Sequence, residues 1–392
     1  MREIIKLASN SKCTGCGACA ASCNIGAIAF DYDRNGFLRP TINPDLCKEC
    51  KACVRNCPVL NKHEVVYHSL QDQEYYSAWT VDDKLCKECT SGGVFSQIAI
   101  NFLQEPNSYV YGAYLHDNKC KHIECTTIED LKKIRGTKYI QSDASEAIRL
   151  AKKRIASGGR VLFSGTPCQV SAVNLAIKNK ENLFTIEVLC HGTPSKLMTD
   201  LTCKHNGYDF VVDYRNKNNG WKKGLSFTMV SECNMDCGYD KQNVFHFWSM
   251  DNLSCYKCSY ARPNRTADMT LGDQWALYSK YGYRRDTGVS LVISNTPKGN
   301  IMLDHKLIHS EVINKDSIDC PVFFIPFNQI FYINYSRSAY RFQEKCLEDF
   351  RTSLDYNWRK RVSLFPMRLL FVMARKIYQL KLRSAIKKFR RN

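Results

Sequence analysis

Residues 13–23 read CTGCGACAASC and residues 47–57 read CKECKACVRNC, each a run of four cysteines spaced CxxCxxCxxxC, the second followed by Pro58. Thiolate sulfur is a soft ligand suited to iron. Two-residue spacings let three sulfurs fold around one corner of a cubic cluster while the fourth reaches across to a neighbour. The doubled run therefore predicts a two-cluster 4Fe-4S ferredoxin module with crossed ligation. Cys13, Cys16 and Cys19 would share one cluster with Cys57, and Cys47, Cys50 and Cys53 would share the other with Cys23. Zinc ribbons also use CxxC pairs, but normally two separated pairs for one ion, so the eight-cysteine pattern favours iron. Asn24 stands where the first run would usually carry proline, and the ligands themselves are intact. Between the runs, IAFDYDRNGFLRP sets Asn35-Gly36 among apolar residues, a hairpin signal.

Further thiols sit at a repeated turn. VLFSGTPCQ at 161–169 and EVLCHGTPS at 187–195 share Gly-Thr-Pro, with Cys168 after the first and Cys190 before the second. Later, SCYKC carries Cys255 and Cys258. That CxxC alone would be a zinc pair, a chance pair or an iron ligand pair, but with Cys168 and Cys190 it completes a set of four. Cys86 with Cys89 and Cys233 with Cys237 are further pairs and read as free thiols.

The elements that must hold these residues follow from the hydrophobic pattern. EYYSAWT (74–80), YVYGAYL (109–115), RVLFSG (160–165) and LFTIEVLC (183–190) read as strands, and GGVFSQIAINFL (92–103) and ASEAIRLAKKRIA (144–156) as helices. Such alternation implies a largely parallel sheet covered on both faces. Each Gly-Thr-Pro then ends a strand and opens a helix, with proline near the first helical position, at the carboxyl edge where open α/β folds bind ligands. There, helix N-termini offer N–H groups and positive dipole ends to phosphates or thiolates. TSGGVFS at 90–96 offers a third such turn, in which Ser91, Gly92 and Gly93 could bring backbone close to a nucleotide.

Other polar residues divide between chemistry and structure. His191, between Cys190 and Gly192, could move a proton at the site or serve as a hydrogen-bonded turn residue. Arg215 and Lys217 near Trp221, and Arg135 with Lys138, could hold an anion or be solvated charges. Asp268 and Asp273 read as turn caps ahead of any redox role.

The bulk numbers bound the function. The chain has 392 residues, enough for two or three domains, and 21 cysteines. Neither a secretory signal at Met1–Leu7 nor an uninterrupted apolar stretch of about 18 residues is present, so the expected compartment is the cytoplasm. Thiols there point to metal or redox chemistry, not to a disulfide framework. The net charge of +18 does not indicate nucleic-acid binding, because twelve Lys or Arg and no acidic residue fall between Arg359 and Asn392. That tail alternates them with apolar residues such as Leu369, Phe371, Ile377 and Leu380. It is either a basic amphipathic helix peripheral to an inner membrane surface or a helix docked on its own domain.

Taken in order, the ferredoxin run, TSGGVFS, RGTKYIQS (135–142), GTPCQ, CHGTPS, YRNKNNGW (214–221) and CYKC followed by ADMTLGDQW resemble one family, over roughly residues 10–300. The chain is similar to the beta subunits of coenzyme F420 (deazaflavin) hydrogenases and dehydrogenases and their bacterial relatives. The resemblance implies an iron–sulfur flavoprotein oxidoreductase carrying FAD and, besides the two N-terminal clusters, a third 4Fe-4S cluster on Cys168, Cys190, Cys255 and Cys258. It places flavin near Ser91, Gly92, Gly93, Lys138, Tyr139, Gly165 and Thr166, with His191 as the catalytic candidate. The implied fold is an α+β ferredoxin-like two-cluster domain (1–62), then an α/β domain with a mainly parallel or mixed sheet (72–310), then a helical, basic C-terminal extension (311–392). Electrons would pass between a reduced carrier (deazaflavin, ferredoxin or nicotinamide) or a redox partner protein and an organic, small-molecule or glycan-type substrate, in the setting of a cell-surface polysaccharide pathway. Flavin suits the junction because it handles electrons in pairs and singly. The competing readings are an electron-transfer subunit with no substrate of its own and a zinc-stabilised scaffold at a membrane.

Overall fold

The computed structural model describes residues 6–218, 220–221, 227–231, 235–238, 251–274 and 286–314. The basic helix expected over 359–392, nearly all of the C-terminal extension and Cys233 lie outside these residues.

Each N-terminal cysteine run closes on a four-residue helix, α1 (Ala18–Ala21) and α2 (Ala52–Arg55). Each helix is opened by left-handed backbone, at Gly17 with φ 83° and at Lys51 with φ 58°. Between them, β1 (Ile28–Tyr32) and β2 (Leu38–Ile42) pair as the expected antiparallel hairpin. The Asp33 carboxylate accepts the N–H groups of Asn35 (2.8 Å) and Phe37 (3.1 Å), and Gly36 takes φ 75°.

The body begins with β3 (Glu74–Thr80), α3 (Asp83–Lys87), α4 (Val94–Gln104), β4 (Ser108–His116), β5 (Lys119–Cys125), α5 (Ile128–Ile134) and β6 (Ser142–Asp143). It continues with α6 (Ser145–Ala156), β7 (Arg160–Gly165), α7 (Pro167–Ala176), β8 (Leu183–Val188) and α8 (Lys196–Asn206). A small antiparallel sheet of β9 (Phe210–Asp213), β10 (Phe227–Val230) and β11 (Met235–Gly238) follows. The chain then returns through β12 (Met269–Asp273), β13 (Ser290–Ser294) and β14 (Ile308–Val312). Among the described residues, nine strands form the main sheet in the order β14-β3-β13-β12-β8-β7-β4-β5-β6.

Only the heart of that sheet, β12-β8-β7-β4, is continuously parallel, and both flanks add antiparallel pairs, so the sheet is mixed. One source of the difference is a direct hairpin between β4 and β5, whose turn residues Asp117 and Asn118 take φ 49° and 53°. Two positive φ values match the twist of a tight hairpin, so no crossover helix is needed there.

Alternate residues of the central strands serve opposite faces. Leu162 packs with Val94, Ile98, Phe102 and Ile134 of α4 and α5, while Val161 and Phe163 pack with Ile148, Ala151, Val170 and Val173 of α6 and α7. The second cluster also takes in Cys16, Ala18 and Ala21, so the N-terminal module is seated on the body through α1.

The two Gly-Thr-Pro turns end neighbouring parallel strands, with Gly165 of β7 opposite Glu187 of β8. In the first, Thr166 and Gln169 form a capping box and Pro167 opens α7, as expected. The second differs from expectation. Its helix starts later, at Lys196, capped by the Ser195 hydroxyl accepting Leu197 N–H (3.1 Å), and Pro194 stays outside in a bridge to Asp251. Ser195 also donates to the Asn35 carbonyl, so this cap doubles as a contact with the N-terminal hairpin.

Candidate iron–sulfur centres

Several of the cysteines expected as ligands lie near one another. Cys13, Cys16, Cys19 and Cys57 line one cavity with apolar walls that include Phe30, Pro40 and Val59. Burial raises the Cys16 thiol well above its usual value, and neighbouring Cys168 and Cys57 raise it further. Cys19 is pushed up to about 12 by burial and by Cys13 and Cys57. In the second set, burial raises Cys53, with Cys50 and Cys23 as the adjacent thiols. Backbone N–H groups reach sulfur in this set, from Ala27 to Cys23 (3.3 Å) and from Glu49 to Cys47 (3.5 Å).

Cys168, Cys190, Cys255 and Cys258 also share one neighbourhood. Burial raises Cys168 to about 11, with Cys258 beside it. Burial raises Cys190, as do Cys168, Cys258 and Asp251, and Cys255 rises through burial, Asp251 and the other three thiols. Four thiols crowded in a desolvated space oppose one another's ionisation, and a metal centre is the chemistry that reverses this, since a coordinating thiol is deprotonated outright. The donor sets therefore fit iron–sulfur clusters. Among the described residues, no three Cys, His, Asp or Glu side chains converge as ligands of a single ion would.

Named side chains hold these cysteines in place. Cys255 lies on a 3₁₀ turn (Leu253–Lys257) whose cap, Asn252, is fully buried. Asn252 donates its N–H to the Thr193 carbonyl (2.9 Å) and its amide to the Cys13 carbonyl (3.2 Å), and it accepts from Arg39 (2.9 Å). One amide thus joins the first ligand loop, the Cys190 turn and the Cys255 turn. The Cys258 loop is held by Arg265, 3% exposed, which pairs with fully buried Glu187 of β8 and donates to the carbonyls of Arg262 (3.0 Å) and Tyr260 (3.3 Å). Glu187 also accepts from the hydroxyls of Thr266 (2.8 Å) and Thr270 (3.1 Å). Tyr260 is buried where the charges of Cys168 and Cys16 both reach it. Sequence reasoning missed Asn252, Arg39, Glu187 and Arg265. The only signal was an arginine and a threonine just ahead of ADMTLGDQW.

The residues expected to meet flavin fall in three groups around the carboxyl edge. Gly165 and Thr166 adjoin the Cys168 set, with Thr166 Oγ1 3.1 Å from Cys168 Sγ. Ser91 donates to the Val289 carbonyl (2.9 Å) and Gly92 N–H to Ser290 Oγ (3.0 Å). A Cβ on Gly92 would lie 2.5 Å from the Ala78 carbonyl, so the close approach this glycine permits is to the protein's own sheet. Gly93, at φ 76°, opens α4. Lys138, lowered to about 8 by burial, donates to the carbonyls of Ile134, Arg135 and Gly136 at the end of α5. Tyr139 stacks edge-on against Tyr214 with centroids 5.8 Å apart, and its neighbour Arg215 pairs with Asp273, which accepts from Trp221 (3.0 Å). Burial lowers His191, with Asp273 opposing.

Lys217 donates to three main-chain carbonyls, those of Cys86 (2.7 Å), Ser91 (2.6 Å) and Thr287. The charges of Arg215 and Lys217 are thus engaged within the protein. Asp268 serves structure, accepting from Thr185 and Thr296. Cys86 and Cys89 are buried thiols, Cys89 near Ser96 Oγ at 3.2 Å. No helix among the described residues is long and apolar enough to cross a membrane.

Residues 158–319 match the C-terminal family model of the coenzyme F420 hydrogenase/dehydrogenase beta subunits, and residues 12–61 that of the 4Fe-4S dicluster domain. The F polypeptide of the F(420)H(2) dehydrogenase of Methanosarcina mazei is 26% identical over 199 residues, 48% of this chain and 56% of that protein. The ferredoxin-like protein in nif region of Rhizobium leguminosarum bv. trifolii is 40% identical over 57 residues, 13% of this chain and 81% of that protein. A chain of the F420-reducing NiFe hydrogenase complex from Methanosarcina barkeri superposes with a TM-score of 0.47 at 20% identity, covering 69% of this chain and 93% of that one. The chain spans just over half the length of the M. mazei protein.

Proposed function

The chain belongs to the family of coenzyme F420 hydrogenase/dehydrogenase beta subunits, and from that premise we propose that it is an iron–sulfur flavoprotein oxidoreductase. It would join a reduced carrier or redox partner to an organic substrate through three 4Fe-4S clusters and FAD. The observation that carries this reading is the meeting of Cys168, Cys190, Cys255 and Cys258 beside Cys16 of the N-terminal module.

The residues would divide the work as follows. Cys23, Cys47, Cys50 and Cys53 hold the outer cluster, Cys13, Cys16, Cys19 and Cys57 the next, and the Cys168 set the innermost. Bound flavin would supply exchange of electron pairs on one side and single electrons on the other. Gly165, Thr166, Tyr139 and the Ser91–Gly93 turn would border it, with Arg215, Asp273 and Trp221 fixing the wall behind Tyr139. His191, kept neutral by burial, would hold a proton acceptor at this edge. The carrier (deazaflavin, ferredoxin or nicotinamide), a cytoplasmic setting, a glycan-type substrate of a cell-surface polysaccharide pathway and membrane contact through the tail belong to the same proposal.

The test is anaerobic purification with iron, zinc and flavin quantified together. Three clusters require about twelve irons per chain and the N-terminal module alone about eight. Cys168→Ser should remove about four. Eight irons that Cys168→Ser leaves unchanged would eliminate the third cluster. A second reading, an electron-transfer component that feeds a partner enzyme, draws on the M. mazei relative, which is named as one subunit of a dehydrogenase. It predicts that donor-reduced protein is not reoxidised by any small substrate until a partner protein is added.

A further inference from the structure

The N-terminal module builds the same ligand turn twice and treats the two copies oppositely. Gly15, Cys16 and Gly17 of the first run correspond to Glu49, Cys50 and Lys51 of the second, and the backbone is left-handed at both flanks of both turns, with φ 68° and 83° in the first and 55° and 58° in the second. In the first copy side chains are excluded. A Cβ on Gly15 would lie 1.8 Å from Gln141 Nε2, and one on Gly17 2.8 Å from Ser145 N. Gln141 there donates to the Thr14 carbonyl (2.9 Å), and Arg149 donates to the Ala20 carbonyl (3.1 Å). The first copy is therefore pressed onto the body, and Cys16 is 7% exposed.

In the second copy glycine is replaced by charged residues although the left-handed conformation favours glycine. Cys50 and Lys51 are exposed, as are Lys48 and Arg55. The buried run CTGCGACAASC has no charged residue, whereas CKECKACVRNC has three basic residues and one acidic. Two apolar side chains flank these ligands in the open, Leu46 (49% exposed) before Cys47 and Ile25 (46%) after Cys23.

We infer that the face around Cys50 is the docking surface for an external electron-transfer protein, and that this partner is small and acidic. The inference rests on the reading of the eight cysteines as cluster ligands. An exposed ligand turn whose sequence neighbours include exposed apolar side chains and more basic residues (Lys48, Lys51 and Arg55) than acidic ones (Asp45 and Glu49) suits a transient redox contact, which buries little area and relies on charge steering for its rate. The body occupies the equivalent face of the inner cluster, so protein partners approach from the outer one.

The test uses the full chain, purified anaerobically, in three forms: wild type, Lys48→Glu/Lys51→Glu, and the charge-matched control Lys152→Glu/Lys153→Glu on α6. Iron is counted first, and fewer than about eight per chain in the wild type would overturn the ligand reading and this proposal with it. Stopped-flow reduction by a reduced acidic ferredoxin should then slow about tenfold in the Lys48/Lys51 variant and stay near wild type in the control. The wild-type rate should fall with added salt. Dithionite should reduce all three alike, which separates lost docking from a damaged cluster. Equal rates with ferredoxin in all three forms, or equal slowing in both variants, would refute the assignment with the iron count intact.

Discussion

Removing the Arg265 guanidinium tests whether a buried ion pair positions the innermost cysteines. Arg265 is 3% exposed and Glu187 fully buried, and the pair spans from β8, which leads into Cys190, to the loop that carries Cys258. In Arg265→Met the Glu187 carboxylate keeps the Thr266 and Thr270 hydroxyls but loses its counter-charge, and the carbonyls of Tyr260 and Arg262 lose their donor. Breaking such a pair from one side costs about 3–5 kcal/mol, because a charge stays buried without compensation. At a few degrees per kcal/mol, the thermal midpoint should drop on the order of 10 °C. Glu187→Met/Arg265→Met, which removes both charges, should recover much of that loss. If the pair positions the ligand loop, Arg265→Met should also lose about four irons per chain while about eight remain. A midpoint within about 3 °C of wild type would refute the energetic argument. A large drop with all iron retained would refute the positioning role.

Two further perturbations probe the frame around the site. Gly17→Ala forces a Cβ to within 2.8 Å of Ser145 N at φ 83°, whereas Lys51→Gly relieves a left-handed lysine at φ 58°. Thermal melts should show Gly17→Ala destabilised by about 1–3 kcal/mol and Lys51→Gly unchanged or slightly stabilised, and equal effects would contradict the asymmetric docking. His122 is buried between Ser142 Oγ (2.7 Å) and the Ser164 carbonyl (2.9 Å), and burial lowers it to about 4. The unfolded chain takes up that proton first as pH falls below about 6.5, so stability is full above 6.5 and is lost toward pH 4. Between pH 7 and 5 the loss should be about 2 kcal/mol in wild type and smaller in His122→Gln, and matching slopes for the two proteins would rule His122 out as the source.

The parts of this architecture legible in the sequence are those fixed by local spacing. The hairpin of the N-terminal module follows from Asn35-Gly36 between apolar residues, and the strand edges at Glu74, Arg160 and Leu183 follow from bounded apolar runs. What stayed hidden depends on distant partners. TSGG reads as a nucleotide turn, yet its central glycine answers to Ala78 and Ser290, on strands far from it in sequence. Arg265 and Asn252 look like surface residues in a polar loop, because nothing local shows that Glu187 or the Cys13 carbonyl waits in the interior. The β4–β5 hairpin was masked by Asp-Asn, which tolerates left-handed backbone but signals it less strongly than Asn-Gly.

The same contrast separates the three cysteine sets by the elements that place them. The two N-terminal sets come from runs in a module with two four-residue helices and one hairpin, a small apolar core, so bound clusters would add directly to its folding free energy. The inner set draws one ligand after β7, one after β8 and two from the loop ahead of β12, strands aligned by parallel pairing at the centre of the sheet. Its four thiols are placed by that sheet, whose core includes the fully buried Val161, Leu162, Phe163 and Ile186, with Cys168 packed against one side of it. The seat for the N-terminal module lies on α6 and α7, which the same core supports. The stability of the outer part should therefore depend on bound clusters more than that of the inner part does. Substitutions in the Cys168 set should accordingly lower the iron count while leaving the thermal midpoint close to wild type, and a midpoint that collapses with the iron would overturn this division.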